Sequence, residues 1–181
     1  FNCTRFACAR MREQKWGRKI NMTSPAWLGA VGHVSYSAAK AGIVGLTNGV
    51  AREMGRYGVT CNVVVPTAGT RMTLTDDVRA GMKRRLDAGL ITREYYEEMT
   101  NPPGPETVPP VILYLSSDAA VDINGQAFRV HRGRISLYST PQEEKSIYKQ
   151  EGLWTIDELE DIVPKTLLTE YVNPAPPEGA K

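Results

Sequence analysis

Val59–Val65 (Val-Thr-Cys-Asn-Val-Val-Val) restricts what this chain can fold into more than any other stretch. Its valines and threonine are β-branched and stiff at χ1, which suits extended backbone. A nearly continuous apolar run of this length belongs to a strand buried on both faces, the kind found in parallel sheets covered by helices. The residues before it supply such a helix. From Ser35 to Tyr57, Ala39, Ile43, Leu46, Val50 and Met54 recur at spacings of 4, 3, 4 and 4, and Gly58 ends the pattern. Earlier still, Lys19–Thr23 alternates like a short strand, and Ser24–Val34, with Pro25, Gly29 and Gly32, reads as a loop. Strand, loop, helix and buried strand make a βαβ unit, so the predicted fold class is α/β with a doubly wound parallel sheet.

Around this unit the pattern predicts an opening helix from Asn2 to Gln14 capped by Gly17, and a loop at Pro66–Thr75. It also predicts short helices at Asp76–Leu86 and Thr92–Met99, a third at Glu106–Leu115, and a last strand at Gly125–Val130. Residues 1–132 are expected to form the sheet domain and 133–181 an extension. In the extension, Thr155-Ile156-Asp157-Glu158 is a capping-box pattern opening a helix to Ile162, and Pro174, Pro176 and Pro177 imply an irregular, disordered end. A second stripe on the long helix, Ala38, Gly42, Gly45 and Gly49, needs a reason, because each helical glycine costs about 0.5–1 kcal/mol relative to alanine. Close approach of another backbone supplies one: a strand, a neighbouring helix, or the same helix of a second subunit. This stripe and the last strand are the predicted surfaces of a homo-oligomer.

Charge narrows the function classes. Residues 1–91 carry a balance of +9 and residues 92–181 one of −7, hidden within a net charge of +2. Lys83, Arg84 and Arg85 with Arg129, Arg132 and Arg134 could attract a phosphate-bearing ligand such as coenzyme A, although such clusters are more often solvated faces. The basic residues are not interleaved with aromatics, which argues against nucleic acid as a partner. No apolar run approaches the roughly 20 residues of a membrane span, and no signal peptide is visible. Cys3, Cys8 and Cys61 form an unpatterned set, as expected of a reduced, cytoplasmic chain. His33 and His131 are too scattered for a metal site.

The chemistry concentrates at the start of the long helix. Tyr36 and Lys40 lie four apart, so they share one helix face. A phenol, ordinarily titrating near pH 10, is a poor base at neutral pH, and an ammonium within about 4–6 Å favours its phenolate form. Ser24 sits just past the predicted first strand, where a hydroxyl could donate to a substrate carbonyl oxygen.

Ser24, Tyr36-Ser37-Ala38-Ala39-Lys40, Ala41-Gly42 and Gly45-Leu46-Thr47 resemble the active-site segment of the short-chain dehydrogenase/reductases. The likeness continues through Arg52-Glu53, Gly58-Val59, Asn62-Val63, Pro66, Thr70, Met72 and Gly125-Gln126, over about residues 1–130. Pro66-Thr67-Ala68-Gly69-Thr70-Arg71-Met72-Thr73 is most similar to the (3R)-hydroxyacyl-CoA dehydrogenase domains of multifunctional β-oxidation enzymes, which also carry an extension. The resemblance implies the C-terminal half of a Rossmann-like sheet and hydride transfer between NAD or NADP and a carbonyl or secondary alcohol, with a 3-hydroxyacyl thioester as a candidate substrate. It implies Tyr36 as general acid/base, Lys40 favouring the phenolate and holding the nicotinamide ribose, Ser24 polarising the carbonyl, and Pro66, Ala68 and Thr70 seating the carboxamide. The family's usual serine-to-tyrosine spacing of 13 would land on Thr23, but the strand end aligns better with Ser24. Neither Gly-x-Gly-x-x-Gly nor Gly-x-x-x-Gly-x-Gly occurs in the chain. The resemblance therefore places the dinucleotide-binding βαβ units, and the asparagine of the family's catalytic helix, before Phe1. It leaves the chain alone an inactive, weak dinucleotide binder. A non-catalytic oligomerisation module built on the same fold is the competing expectation.

Overall fold

The structure is a computed structural model describing residues 1–175. It divides into a first unit, Phe1–Ser139, and a second, Thr140–Lys181. The first unit holds a four-stranded sheet in the order β1 (Gly17–Met22), β2 (Val59–Pro66), β3 (Ala127–His131) and β4 (Arg134–Leu137). Its first three strands are parallel and β4 is antiparallel to β3. Helices α1 (Asn2–Gln14), α2 (Val34–Met54), α3 (Asp76–Asp87), α4 (Arg93–Thr100) and α5 (Pro109–Ser116) complete the unit.

The valine-rich run is the buried strand that its composition predicts: every residue from Val59 to Val65 is buried. Alternate side chains of β2 serve opposite faces. Val64 joins Val108, Val111, Leu115, Ala120 and Val130 in the core beneath α5. Cys61, of opposite parity, lies within 3.7 Å of Asn21 Nδ2, which also donates to Thr47 Oγ1 on α2. Asn62 is tolerated in this strand because both ends of its amide are used. Its Nδ2 donates to the Ile123 carbonyl and its Oδ1 accepts from the Gln126 N–H. Asn124 completes the clamp, accepting from the Cys61 N–H and donating to the Ala51 carbonyl.

Several boundaries differ from expectation, each for a local reason. Helix α1 is capped by Lys15 in the left-handed region (φ 58°), not by Gly17. Gly17 opens β1 and is glycine because a Cβ there would sit 2.6 Å from Met11 Sδ. Helix α2 spans Val34–Met54, and a 3₁₀ turn carries the chain through Gly55–Tyr57 to Gly58 (φ 73°). Its fully buried residues are Thr47, Ala51 and Met54. Of the predicted apolar stripe only Met54 is among them, because the Thr47 hydroxyl enters the core by donating to the Ile43 carbonyl and accepting from Asn21. Helix α5 starts at Pro109 rather than Glu106, with a separate 3₁₀ turn at Pro105–Thr107 before it. Strand β4 was not expected, and with it the sheet unit extends past residue 132 to Ser139. Because β4 occupies the outer edge of β3, that predicted oligomer surface is already paired within the chain.

The second unit contains α6 (Ile156–Lys165), and none of its described residues is buried. The predicted capping box is present, with Thr155 and Glu158 satisfying each other's backbone N–H groups. The helix continues to Lys165, past the expected end at Ile162, with Pro164 inside it. Pro176 and Pro177 of the predicted irregular end lie outside the described residues.

Candidate active site

The sheet topology carries Ser24 and Tyr36 to the carboxyl end of β1, where open α/β sheets bind ligands. Thr23 continues the β1 ladder by donating its N–H to the Val64 carbonyl at 2.9 Å. Its buried hydroxyl donates to the Lys40 carbonyl at 2.7 Å, tying the strand end to α2. Thr23 is thereby committed to structure. Ser24 is half-buried and caps a 3₁₀ turn, Pro25–Leu28, that packs against α2; its Oγ accepts from the Ala26 N–H at 3.3 Å. Accepting that bond leaves the hydroxyl proton of Ser24 free to be donated.

Tyr36 and Lys40 occupy successive turns at the start of α2. The Lys40 ammonium stands over the Tyr36 ring, 5.4 Å from its centroid. Tyr36 is 44% exposed, so its phenol is accessible. Among the described residues the ammonium has no hydrogen bond or ion pair. His33, just before the helix, makes an edge contact with Tyr36 at 6.3 Å between ring centroids. The preceding loop is braced by Ser37, whose Oγ accepts from the Ala30 N–H at 3.1 Å.

The Pro66–Thr70 loop leaves β2 at the same end of the sheet. Pro66 is registered against Val130, and Thr67 donates its N–H to the Val130 carbonyl at 3.0 Å. Ala68 packs against the α5 core. The Thr70 N–H is taken by Thr73 Oγ1 at 2.8 Å, and the Thr70 hydroxyl is held by contacts of 3.3 Å with Met72 N–H and Thr73 Oγ1. Among the described residues the buried Thr67 Oγ1 has no partner.

A nicotinamide dinucleotide fits these residues at one end only. The unpaired Lys40 ammonium suits ribose hydroxyls, and the orphaned Thr67 hydroxyl lies in the loop expected to face a carboxamide. The glycine-rich cradle needed for a pyrophosphate is absent from the sequence. Among the described residues no group of His, Cys, Asp and Glu could hold a metal ion.

Of the six cationic residues considered for a phosphate, three have partners within the chain. Lys83 pairs with Asp87, Arg129 with Glu98, and Arg132 donates to the Asn101 carbonyl. Arg85 instead reaches the Gly32 loop. The sequence marked Arg85 only as one of a cationic group and did not show its reach to the Gly32 loop, nor the place of Trp27, whose ring meets Tyr138 edge-on with centroids 5.4 Å apart. Both gain their positions from tertiary packing between segments distant in sequence. Cys61 is inert: burial pushes its thiol up to about 11.

Comparison with known proteins shows the family. Residues 1–134 match the family model described as enoyl-(acyl carrier protein) reductase. The chain is 38% identical over 168 residues to hydroxyacyl-CoA dehydrogenase ChsB1 of Mycobacterium tuberculosis, covering 88% of this chain and 49% of that protein. It is 37% identical over 137 residues to a 3-oxoacyl-[acyl-carrier-protein] reductase of Synechocystis, covering 75% of this chain and 51% of that one. The crystal structure of a short chain dehydrogenase from Mycobacterium avium superposes with a TM-score of 0.70 at 35% identity, covering 98% of this chain and 55% of that one. The chain therefore spans about half the length of the curated relatives it matches. No helix among the described residues is long and apolar enough to cross a membrane. Motif, fold and match together make this chain a member of the short-chain dehydrogenase/reductase family.

Proposed function

We propose that this chain supplies the acid/base half of an NAD(P)-dependent oxidoreductase acting on a carbonyl or secondary alcohol, with a 3-hydroxyacyl thioester as its substrate class. The observation that carries the reading is the Lys40 ammonium 5.4 Å over the Tyr36 ring, at the carboxyl end of the strand that delivers Ser24. The nicotinamide cofactor, when bound, carries the hydride. Tyr36 moves the proton at the substrate oxygen, as acid in reduction and as base in oxidation. Lys40 favours the phenolate by its charge and holds the ribose hydroxyls. Ser24 Oγ donates to the carbonyl oxygen, and Pro66, Ala68 and Thr70 shape the seat of the carboxamide. The thioester is favoured by the likeness to a hydroxyacyl-CoA dehydrogenase and a 3-oxoacyl-carrier reductase. The three free thiols suit the reducing cytoplasm as the place of action.

The decisive test is Tyr36→Phe in a polypeptide joining this chain to its cofactor-binding half. Thioester-dependent NAD(P)H oxidation should fall by about 10²–10⁴-fold, the usual worth of general acid/base catalysis. Retained turnover would remove Tyr36 from the reaction.

Self-association through α2 is a second part of the proposal, resting on a separate observation. Ala38, Gly42, Gly45 and Gly49 are all exposed, and a Cβ at any of the three glycines would meet nothing within 4 Å. The close approach that would explain these glycines is thus absent among the described residues, and the same helix of a second copy is proposed to provide it.

A further inference from the structure

Arg85 lies outside the acid/base constellation, yet its side chain reaches the loop that leads into it. From the last turns of α3 the guanidinium lies beside Gly32. A Cβ built on Gly32 would sit 3.1 Å from Arg85 Nη2, 3.7 Å from Cζ and 3.8 Å from Nε. The guanidinium thus approaches this glycine with Nη2 nearest. Gly32 has φ +74° and directly precedes His33, whose ring contacts Tyr36.

The charge on Arg85 is not neutralised. Three nearby cations are committed, Arg129 to Glu98, Arg132 to the Asn101 carbonyl and Lys83 to Asp87, whereas Arg84, unpaired among the described residues, is exposed. Arg85 is half-buried, and among the described residues its guanidinium has no carboxylate or carbonyl partner. A partly desolvated cation without a counter-ion is costly, and a planar guanidinium is the side chain best shaped to take two oxygens of one oxyanion. The Tyr95 phenol on α4 also lies within its field, which opposes the upward push of burial and Glu98 on that group. The cation therefore stands among α3, α4 and the loop before Tyr36.

We propose that Arg85 is a specificity residue: held beside Gly32, its guanidinium receives an oxyanion carried by the substrate away from its reacting carbon. The shared chemistry is a carboxylate or phosphate, from the acyl chain or from the thioester carrier. The inference deepens the thioester reading and rests on it for the source of the anion. Its geometry needs no cofactor.

Binding of three probes to the 181-residue chain tests it by titration calorimetry: pantetheine, coenzyme A and succinyl-pantetheine. Pantetheine bears neither anion, coenzyme A adds phosphates, and succinyl-pantetheine adds a carboxylate. At least one of the two anionic probes is expected to bind about tenfold tighter than pantetheine, the worth of a charge-assisted pair, and which one does so identifies the source. Arg85→Gln should erase that preference, and Arg85→Lys, which keeps the charge and loses the fork, should restore part of it, with unchanged circular dichroism in both. Equal binding of all three probes to the unaltered chain, or a preference that survives Arg85→Gln, overturns the proposal. Because no turnover is read, the result is independent of the Tyr36→Phe test of hydride transfer.

Discussion

Burial pushes the His131 imidazole below its ordinary value of 6.5, with Arg129 and Arg132 acting in the same direction and Glu98 opposing them. His131 Nδ1 lies 3.7 Å from Glu98 Oε1, and Nε2 is buried without a partner. The folded state thus holds this ring neutral at pH values where the unfolded chain protonates it. Below pH 6.5 the unfolded state binds more protons, so folding stability falls as pH drops from 6.5 through the lowered folded value. The slope can reach at most about 1.4 kcal/mol per pH unit for one proton. Urea unfolding from pH 7 to 5 should show this loss, and His131→Gln should flatten it. An unchanged slope in the variant would place the acid sensitivity elsewhere.

Among the elements, α6 is the one whose start is fixed most completely by side chains. Lys149 first, then the Thr155 N–H and hydroxyl, hold the Glu158 carboxyl down at about 2. A depressed carboxyl stabilises the structure above its unfolded value of 4.5, and that contribution is lost as pH falls from there toward 2. Amide resonances of Thr155 and Glu158 should therefore report loosening of the first turn across that window. In Glu158→Gln the turn should be looser at neutral pH and insensitive to acid. This cap was legible in the sequence because it depends on two residues three apart. The β-branched composition of Val59–Val65 was legible for the same reason: its cause is local. Strand β4 was not. Its turn, Arg132-Gly133, holds both residues at positive φ (50° and 73°) without the Asn-Gly or Asp-Gly pair that marks such turns. Arg134–Leu137 is then too short to show a period. The burial of Thr47 was equally hidden, since beside its local bond to the Ile43 carbonyl its hydroxyl is met by Asn21, 26 positions away. At the site, the Tyr36–Lys40 pairing follows from helical spacing, whereas Arg85 meets Gly32 only through packing of α3 against a distant loop.

For the whole molecule, the exposed glycine face of α2 leads to a test of assembly. Gly45→Leu places on that face a side chain whose Cβ meets nothing within 4 Å among the described residues, and it raises helix propensity by up to about 1 kcal/mol. Light scattering after size exclusion should show a smaller species than the unaltered chain, with thermal stability kept or raised. An unaltered chain that is already monomeric would discard the α2 interface. One short bond has a wider consequence. The Thr23 hydroxyl fastens the end of β1 to the backbone of Lys40, so Ser24 and the Tyr36–Lys40 pair are anchored to a common rigid frame. Arg85 reaches that frame from α3, a separate helix. If the proposed roles hold, substitutions in α3 and α4 retune which molecule is accepted while Ser24, Tyr36 and Lys40 stay in place. In a lineage of such chains, new preferences would accumulate in α3 and α4 without a fresh solution to the chemistry.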